Sequence, residues 1–202
     1  MIRVYHHIWD FGEGLSIAQE QKERLFNNIK DEFTYHPNIA QQHENEYHTF
    51  IKMINDISNF DNNDYILYIH TKGASGNTQI RRQWREYMEL SLIDDYKLHL
   101  KALDLGFDTS GVLMGIPHWS QKIYGGNFWW TTVKFLNLIP KNFTQLIDIQ
   151  NRHHAECNFL QMVNGWNPYN IPCFGEKYKN LNDFYFFMVK DMLNNLSHNV
   201  KF

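Results

Sequence analysis

The strongest chemical signal in the chain is the run Tyr65-Ile66-Leu67-Tyr68-Ile69-His70-Thr71-Lys72-Gly73-Ala74-Ser75-Gly76-Asn77, followed by Arg81, Arg82 and Arg85 at helical spacing. A short apolar strand that delivers a lysine, two glycines and then a basic helix suits an anion. Backbone N–H groups can approach it closely, and the helix adds the positive end of its dipole. Lys72, Arg81 and Arg82 would complete a cradle for a diphosphate. The pattern is not a P-loop, because the lysine precedes the glycines. A plain turn before a solvated basic helix face fits these residues equally well.

Two further groupings carry chemistry. In Ile123-Tyr124-Gly125-Gly126-Asn127-Phe128-Trp129-Trp130, flat indoles could stack on the C–H face of a sugar or on a base. Asn127 offers both donors and acceptors to hydroxyls. The spacing predicts a helix over 127–138, in which the two indoles diverge, so one of them belongs to the core. In Asn151-Arg152-His153-His154-Ala155-Glu156-Cys157-Asn158-Phe159, a carboxylate flanked by imidazoles and a guanidinium could act as a base, a stabiliser of charge or a ligand. An exposed charged helix start explains the same residues.

Other patterns fail on spacing. His43 and His48 stand five apart around Glu44 and Glu46, not the four apart of a zinc-binding helix. His6 and His7 point to opposite faces of a strand. No Gly-x-Ser-x-Gly is present, and Cys157 and Cys173 have no metal or disulfide spacing.

These residues need elements to position them. A strand over 2–8 leads through glycines to an amphipathic helix with Leu15, Ala18, Leu25 and Ile29 on one stripe. A second strand at 33–35 ends before Pro37, and Tyr47, Phe50, Ile51, Ile54 and Ile57 repeat at helical spacing. The apolar run 65–69 suits a strand covered on both faces. A long helix follows over 78–103, with Ile80, Trp84, Met88, Leu92 and Tyr96 inward. A strand over 112–116 and helices over 148–163 and 181–196 complete the pattern. Strand, helix, strand, helix, buried strand is the order of an α/β domain with a mostly parallel sheet. The 202 residues suffice for one domain that buries roughly 70% of its unfolded surface. A hydrophobic share of 43%, an aromatic share of 16% and a net charge of -3 describe a globular chain without the basic footprint of a nucleic-acid binder.

The order of these motifs resembles a glycosyltransferase-like family found in bacterial surface-polysaccharide clusters and large DNA viruses. The likeness rests on His70-Thr71-Lys72-Gly73, then Trp84-Arg85 with Met88, then Gly126-Asn127-Phe128-Trp129-Trp130, then Arg152-x-x-x-Glu156. It implies a single GT-A-like α/β domain over 1–202, with the donor nucleotide on about 1–105 and the acceptor on about 106–202. On that likeness His7 and Trp9 lie near the nucleobase. His70, Thr71, Lys72, Gly73, Arg81 and Arg82 hold the donor. Trp129, Trp130 and His154 contact sugar, and Glu156 and Asn127 serve the reacting centre. Many such enzymes carry Asp-x-Asp where His-Thr-Lys-Gly stands here. His70 could therefore ligate a divalent metal such as manganese, or the cations could neutralise the phosphates without one. The partners implied are a nucleotide-sugar donor and a glycan or glycoconjugate acceptor. The expected location is cytoplasmic, at the cytosolic membrane face through the acceptor. Two rivals remain at this stage: a non-catalytic glycan- or nucleotide-binding module, and a phosphate-ester hydrolase or phosphotransferase using the same loop.

Overall fold

The computed structural model describes residues 1–41, 44–72, 76, 78–112, 124–146, 148 and 158–171. The first strand, β1 (Ile2–Trp9), is followed by α1 (Gly14–Asn28), β2 (Phe33–Ala40), α2 (Tyr47–Asp56) and β3 (Tyr65–His70). Then come α3 (Gln79–Glu89), a π-helical turn (Leu90–Asp94), α4 (Tyr96–Asp104), β4 (Thr109–Gly111) and β5 (Trp129–Thr132). Two short helices, α5 (Val133–Leu136) and α6 (Phe143–Leu146), and the strand β6 (Pro168–Asn170) follow. The six strands form one sheet in the order β2-β1-β3-β5-β4-β6. β1 is parallel to β2 and β3, β4 is parallel to β6, and β5 runs antiparallel to both of its neighbours. The architecture is α/β, a mostly parallel mixed sheet flanked by helices.

Alternation along the strands sends side chains to two separate cores. Ile2, Val4, Leu67, Ile69 and Trp130 pack with Leu25, Met88, Leu92 and Tyr96 on the side of α1, α3 and α4. Tyr5, Ile66, Tyr68 and Trp129 pack with Tyr47, Phe50, Met53 and Phe159 on the side of α2. The adjacent tryptophans thus lie on opposite faces, and both are fully buried.

Several expected elements differ. Residues 127–138 are not one helix: Trp129–Thr132 form the central strand β5, and only Val133–Leu136 are helical. β-branched and aromatic residues favour the pleated, covered position that β3 offers there. β2 continues through Pro37 to Ala40 because it is an edge strand, where a missing N–H costs nothing on the open side. The long helix after Thr78 is broken at Asp95, and the carbonyl of Leu92 accepts from Trp130 Nε1 at 2.9 Å. Leu15 and Ile80 are exposed at 52% and 39%, and α1 instead buries Ile17, Ala18, Gln21 and Leu25. A strand lies just ahead of the expected 112–116, as β4 (Thr109–Gly111), and Val112 is past its end. The end of that stretch, most of the helix over 148–163 and the helix over 181–196 lie outside the described residues.

Candidate functional site

The connection after β1 leads to β2 on one side, and the chain then crosses back to β3 on the other. This reversal falls between β1 and β3, and the carboxyl ends of strands beside such a reversal are where open α/β sheets bind ligands. His7 is in register with His70, so both imidazoles leave the sheet on the same face, towards α2. The start of α2 meets them. Glu46, the residue before the helix, places Oε1 2.8 Å from His70 Nδ1, and Thr49 Oγ1 lies 2.9 Å from His7 Nδ1. Glu46 also accepts from Tyr68 Oη at 3.1 Å and from Asn127 Nδ2. Asn127 Oδ1 in turn accepts from Trp129 Nε1 at 3.0 Å.

Electrostatics in this cluster are set by burial and by mutual pairing. Burial pushes the Glu46 carboxyl up, but the charge and hydrogen bond of His70 outweigh it, with help from His7 and Lys72. The carboxyl is held below its ordinary range. An ionised Glu46 fixes a proton on His70 Nδ1, because a carboxylate only accepts. Burial lowers His7 to about 4 against the raising effect of Glu46, so its ring is neutral at pH 7. The far nitrogens, His7 Nε2 and His70 Nε2, are buried and have no hydrogen-bond partner among the described residues. Buried polar atoms without partners are rare in folded proteins and mark a place that a ligand or water completes.

The loop leaving β3 is pinned from several directions. Thr71 N–H donates to the His7 carbonyl at 3.1 Å, and Trp9 N–H donates to Thr71 Oγ1 at 3.0 Å. Lys72 lies half-buried with Nζ 4.5 Å above the Trp84 ring. Thr78 caps α3, its side chain accepting from Arg81 N–H at 3.4 Å. Arg81 and Arg82 are exposed on the first turn of α3, and Arg81 Nη1 also donates to the Gly76 carbonyl at 3.1 Å. Arg85 is buried.

The structure therefore gathers His7, Trp9, His70, Thr71 and Lys72 at one end of the sheet, with Arg81 and Arg82 beside them on α3. Asn127 belongs to the same cluster, but as a clasp between Glu46 and Trp129. It is 3% exposed with φ 56°, a left-handed conformation that the preceding Gly125-Gly126 turn delivers. Trp129 and Trp130 do not face a ligand: each is fully buried in a core, and each indole N–H is already bonded. Their expected stacking on sugar is corrected accordingly. Gly73, His154 and Glu156 lie outside the described residues, as do Arg152 and His153.

A divalent ion at His70 would find one open nitrogen, since Nδ1 is taken by Glu46. Among the described residues no three His, Cys, Asp or Glu side chains are placed to hold a metal. The described residues are therefore not a metal-binding set by themselves.

Sequence reasoning missed Glu46, Thr49, Gln21 and Glu89. The signal for Gln21 was available: it interrupts an apolar stripe between Ile17 and Leu25, and a polar side chain there must find a buried partner. Glu46 was passed over with the histidine spacing around it, although an acid just before an apolar helix stripe belongs at a helix start.

No protein-family model matches the chain, and no curated protein matches it. Among the described residues no helix is long and apolar enough to cross a membrane.

Proposed function

We propose that the chain is a glycosyltransferase that binds a nucleotide-sugar donor at the carboxyl ends of β1 and β3 and transfers the sugar to a hydroxyl of a glycan or glycoconjugate. The observation that carries this reading is the strand reversal between β1 and β3, where two buried imidazole nitrogens, without partners among the described residues, lie at the same end of the sheet as Lys72 and the basic first turn of α3. That combination suits a ligand with polar neutral parts and a diphosphate. Its motif order also resembles the GT-A glycosyltransferase-like family.

In this reading His7 and Trp9 face the nucleoside, and Lys72 with Arg81 and Arg82 neutralise the diphosphate. Charge develops on that diphosphate as the bond to the sugar breaks, so cations placed there act most strongly in the transition state. His70, held by Glu46, orders the carboxyl end of β3. Glu156 is the proposed carboxylate at the reacting centre, and His154 contacts the acceptor.

A thermal-shift panel of UDP, GDP, dTDP and CMP sugars, with and without manganese, tests the reading. A ligand that binds the folded state raises the melting point by mass action. One nucleotide class should do so, with the sugar released to an acceptor on incubation. A panel with no shift under any condition would count against a donor site.

A further inference from the structure

Beneath the loop that presents Lys72, on the face opposite to His70 and Glu46, lies a second buried polar group that the donor-site reading does not use. Gln21 of α1 donates through Nε2 to the His70 carbonyl at 3.2 Å and to Glu89 Oε1 at 2.7 Å. Arg85 of α3 donates through Nη1 to the Lys72 carbonyl at 3.2 Å, and its Nε lies 3.5 Å from the same Glu89 oxygen. Arg24 reaches Glu89 Oε2 at 3.1 Å and makes a two-pronged contact to Asp94, at 2.8 and 2.7 Å. Gln21, Arg85 and Glu89 are all buried, at 1%, 8% and 7% exposure.

The arrangement is costly, and its cost points to a purpose. Burial pushes the Glu89 carboxyl up, against the opposing pull of Arg24, Gln21 and Arg85. An apolar side chain at that position of α3 would pack without any of these requirements. What the charges achieve is a fixed position for two carbonyls, those of His70 and Lys72, which flank Thr71 where the strand ladder has ended. The amides of Thr71 and Lys72 close the same turn, bonded to the His7 carbonyl at 3.1 Å and the His70 carbonyl at 2.8 Å.

We propose that Gln21, Glu89 and Arg85 form a positioning unit that sets the turn after β3, and through it holds Lys72 at the diphosphate of a bound nucleotide. The ligand half of this statement rests on the function proposed above; the brace itself does not. Gln21 and Arg85 each grip one carbonyl of the turn, and Glu89 aligns both. None of the three touches the ligand.

Hydrogen exchange at the Thr71 and Lys72 amides reads the brace directly, with no ligand present. Gln21→Met keeps the length of the side chain and removes its amide, and Arg85→Lys keeps the charge and removes the fork. Asp94→Asn is the control, since it weakens the same helix packing through Arg24 without touching the turn. The two amides should exchange at least tenfold faster in Gln21→Met and in Arg85→Lys than in the control. The dissociation constant for whichever of UDP, GDP, dTDP and CMP the parent protein binds should rise about tenfold in both variants and stay within twofold in the control. Parent-like exchange in both variants, or equal acceleration in Asp94→Asn, overturns the brace. A brace confirmed by exchange in a protein that binds none of the four nucleotides overturns the proposed function instead. Should Gln21→Met fail to fold, Arg85→Lys decides alone.

Discussion

The two ends of the central strands are built from similar polar residues and finished in opposite ways. At the amino end, Asp64 receives the guanidinium of Arg3 through two contacts, at 3.0 and 2.8 Å. The carboxyl is lowered because the hydrogen bonds from the Met1 ammonium, at 2.8 Å, and from Arg3 outweigh the effect of burial. The buried carboxylate there is fully paired with cations. At the carboxyl end, Glu46 is equally well supplied, yet among the described residues the two imidazoles beside it each keep one buried nitrogen unbonded. Lys72 rests its charge on an indole face. Completed pairing holds a fold together, and incomplete pairing in a buried place leaves work for a ligand. The comparison predicts that loss of a buried hydrogen-bonded group at either end costs stability, while only changes at the carboxyl end alter the response to nucleotides.

The largest effect is expected at Asn127. Alanine there would take one hydrogen bond from Glu46, which keeps those of His70 and Tyr68, would remove the acceptor of the Trp129 N–H, and would place a Cβ-bearing residue without a polar side chain at positive φ. Together these losses cost roughly 3–5 kcal/mol in urea unfolding. Asn127→Gly restores the backbone freedom and should recover about 1 kcal/mol of that. A near-neutral Asn127→Ala would remove the clasp from the account.

At the amino end, Asp64→Ala strands the Arg3 charge and should cost about 3 kcal/mol, somewhat below a fully buried pair because Arg3 keeps some water. Nucleotide affinity should be unchanged in the folded protein. A Kd that moved with this substitution would break the division between the two ends.

Acid separates the ends by pH. His7 has its folded value near 4 and its unfolded value near 6.5, so its contribution is complete above 6.5 and is lost as pH falls towards 4. His6 behaves alike, with burial holding it near 3. Asp64 has a lowered value, so its contribution persists until pH falls below the ordinary aspartate range near 3.8. Unfolding stability should therefore decline from pH 7 to pH 5 through His6 and His7 and through His99 of α4, which burial also holds near 3, with the Asp64 pair still intact. His7→Gln should flatten that slope by about 1.4 kcal/mol per pH unit or less. An unchanged slope would mean that His7 is not buried neutral.

Much of the fold was legible because its signals are local. The apolar run of β3, the periodicity of α2 and the glycine turn before Asn127 each follow from residues within one element. The order of motifs also grouped His7, His70 and Lys72, which the fold brings together at the carboxyl ends of β1 and β3. What stayed hidden depends on contacts across the fold. Whether Trp129 and Trp130 form a helix or a strand is decided by β3 and β4 on either side of them, and no window of the sequence contains that information. Glu46 gains its meaning only when β3 and the Gly126-Asn127 turn reach it, 24 and 81 positions later.

The central claim is that the carboxyl end of β1 and β3 is the ligand site and Lys72 its phosphate contact. Calorimetric titration of nucleoside diphosphates into the parent protein and into Lys72→Ala tests it most directly. The account predicts that one nucleoside diphosphate binds the parent and that the variant, with an unchanged melting point, binds it roughly 10- to 100-fold more weakly, as loss of a charge-assisted hydrogen bond worth about 1.5–3 kcal/mol requires. Equal affinity in the two proteins, or no binding to the parent, would contradict it.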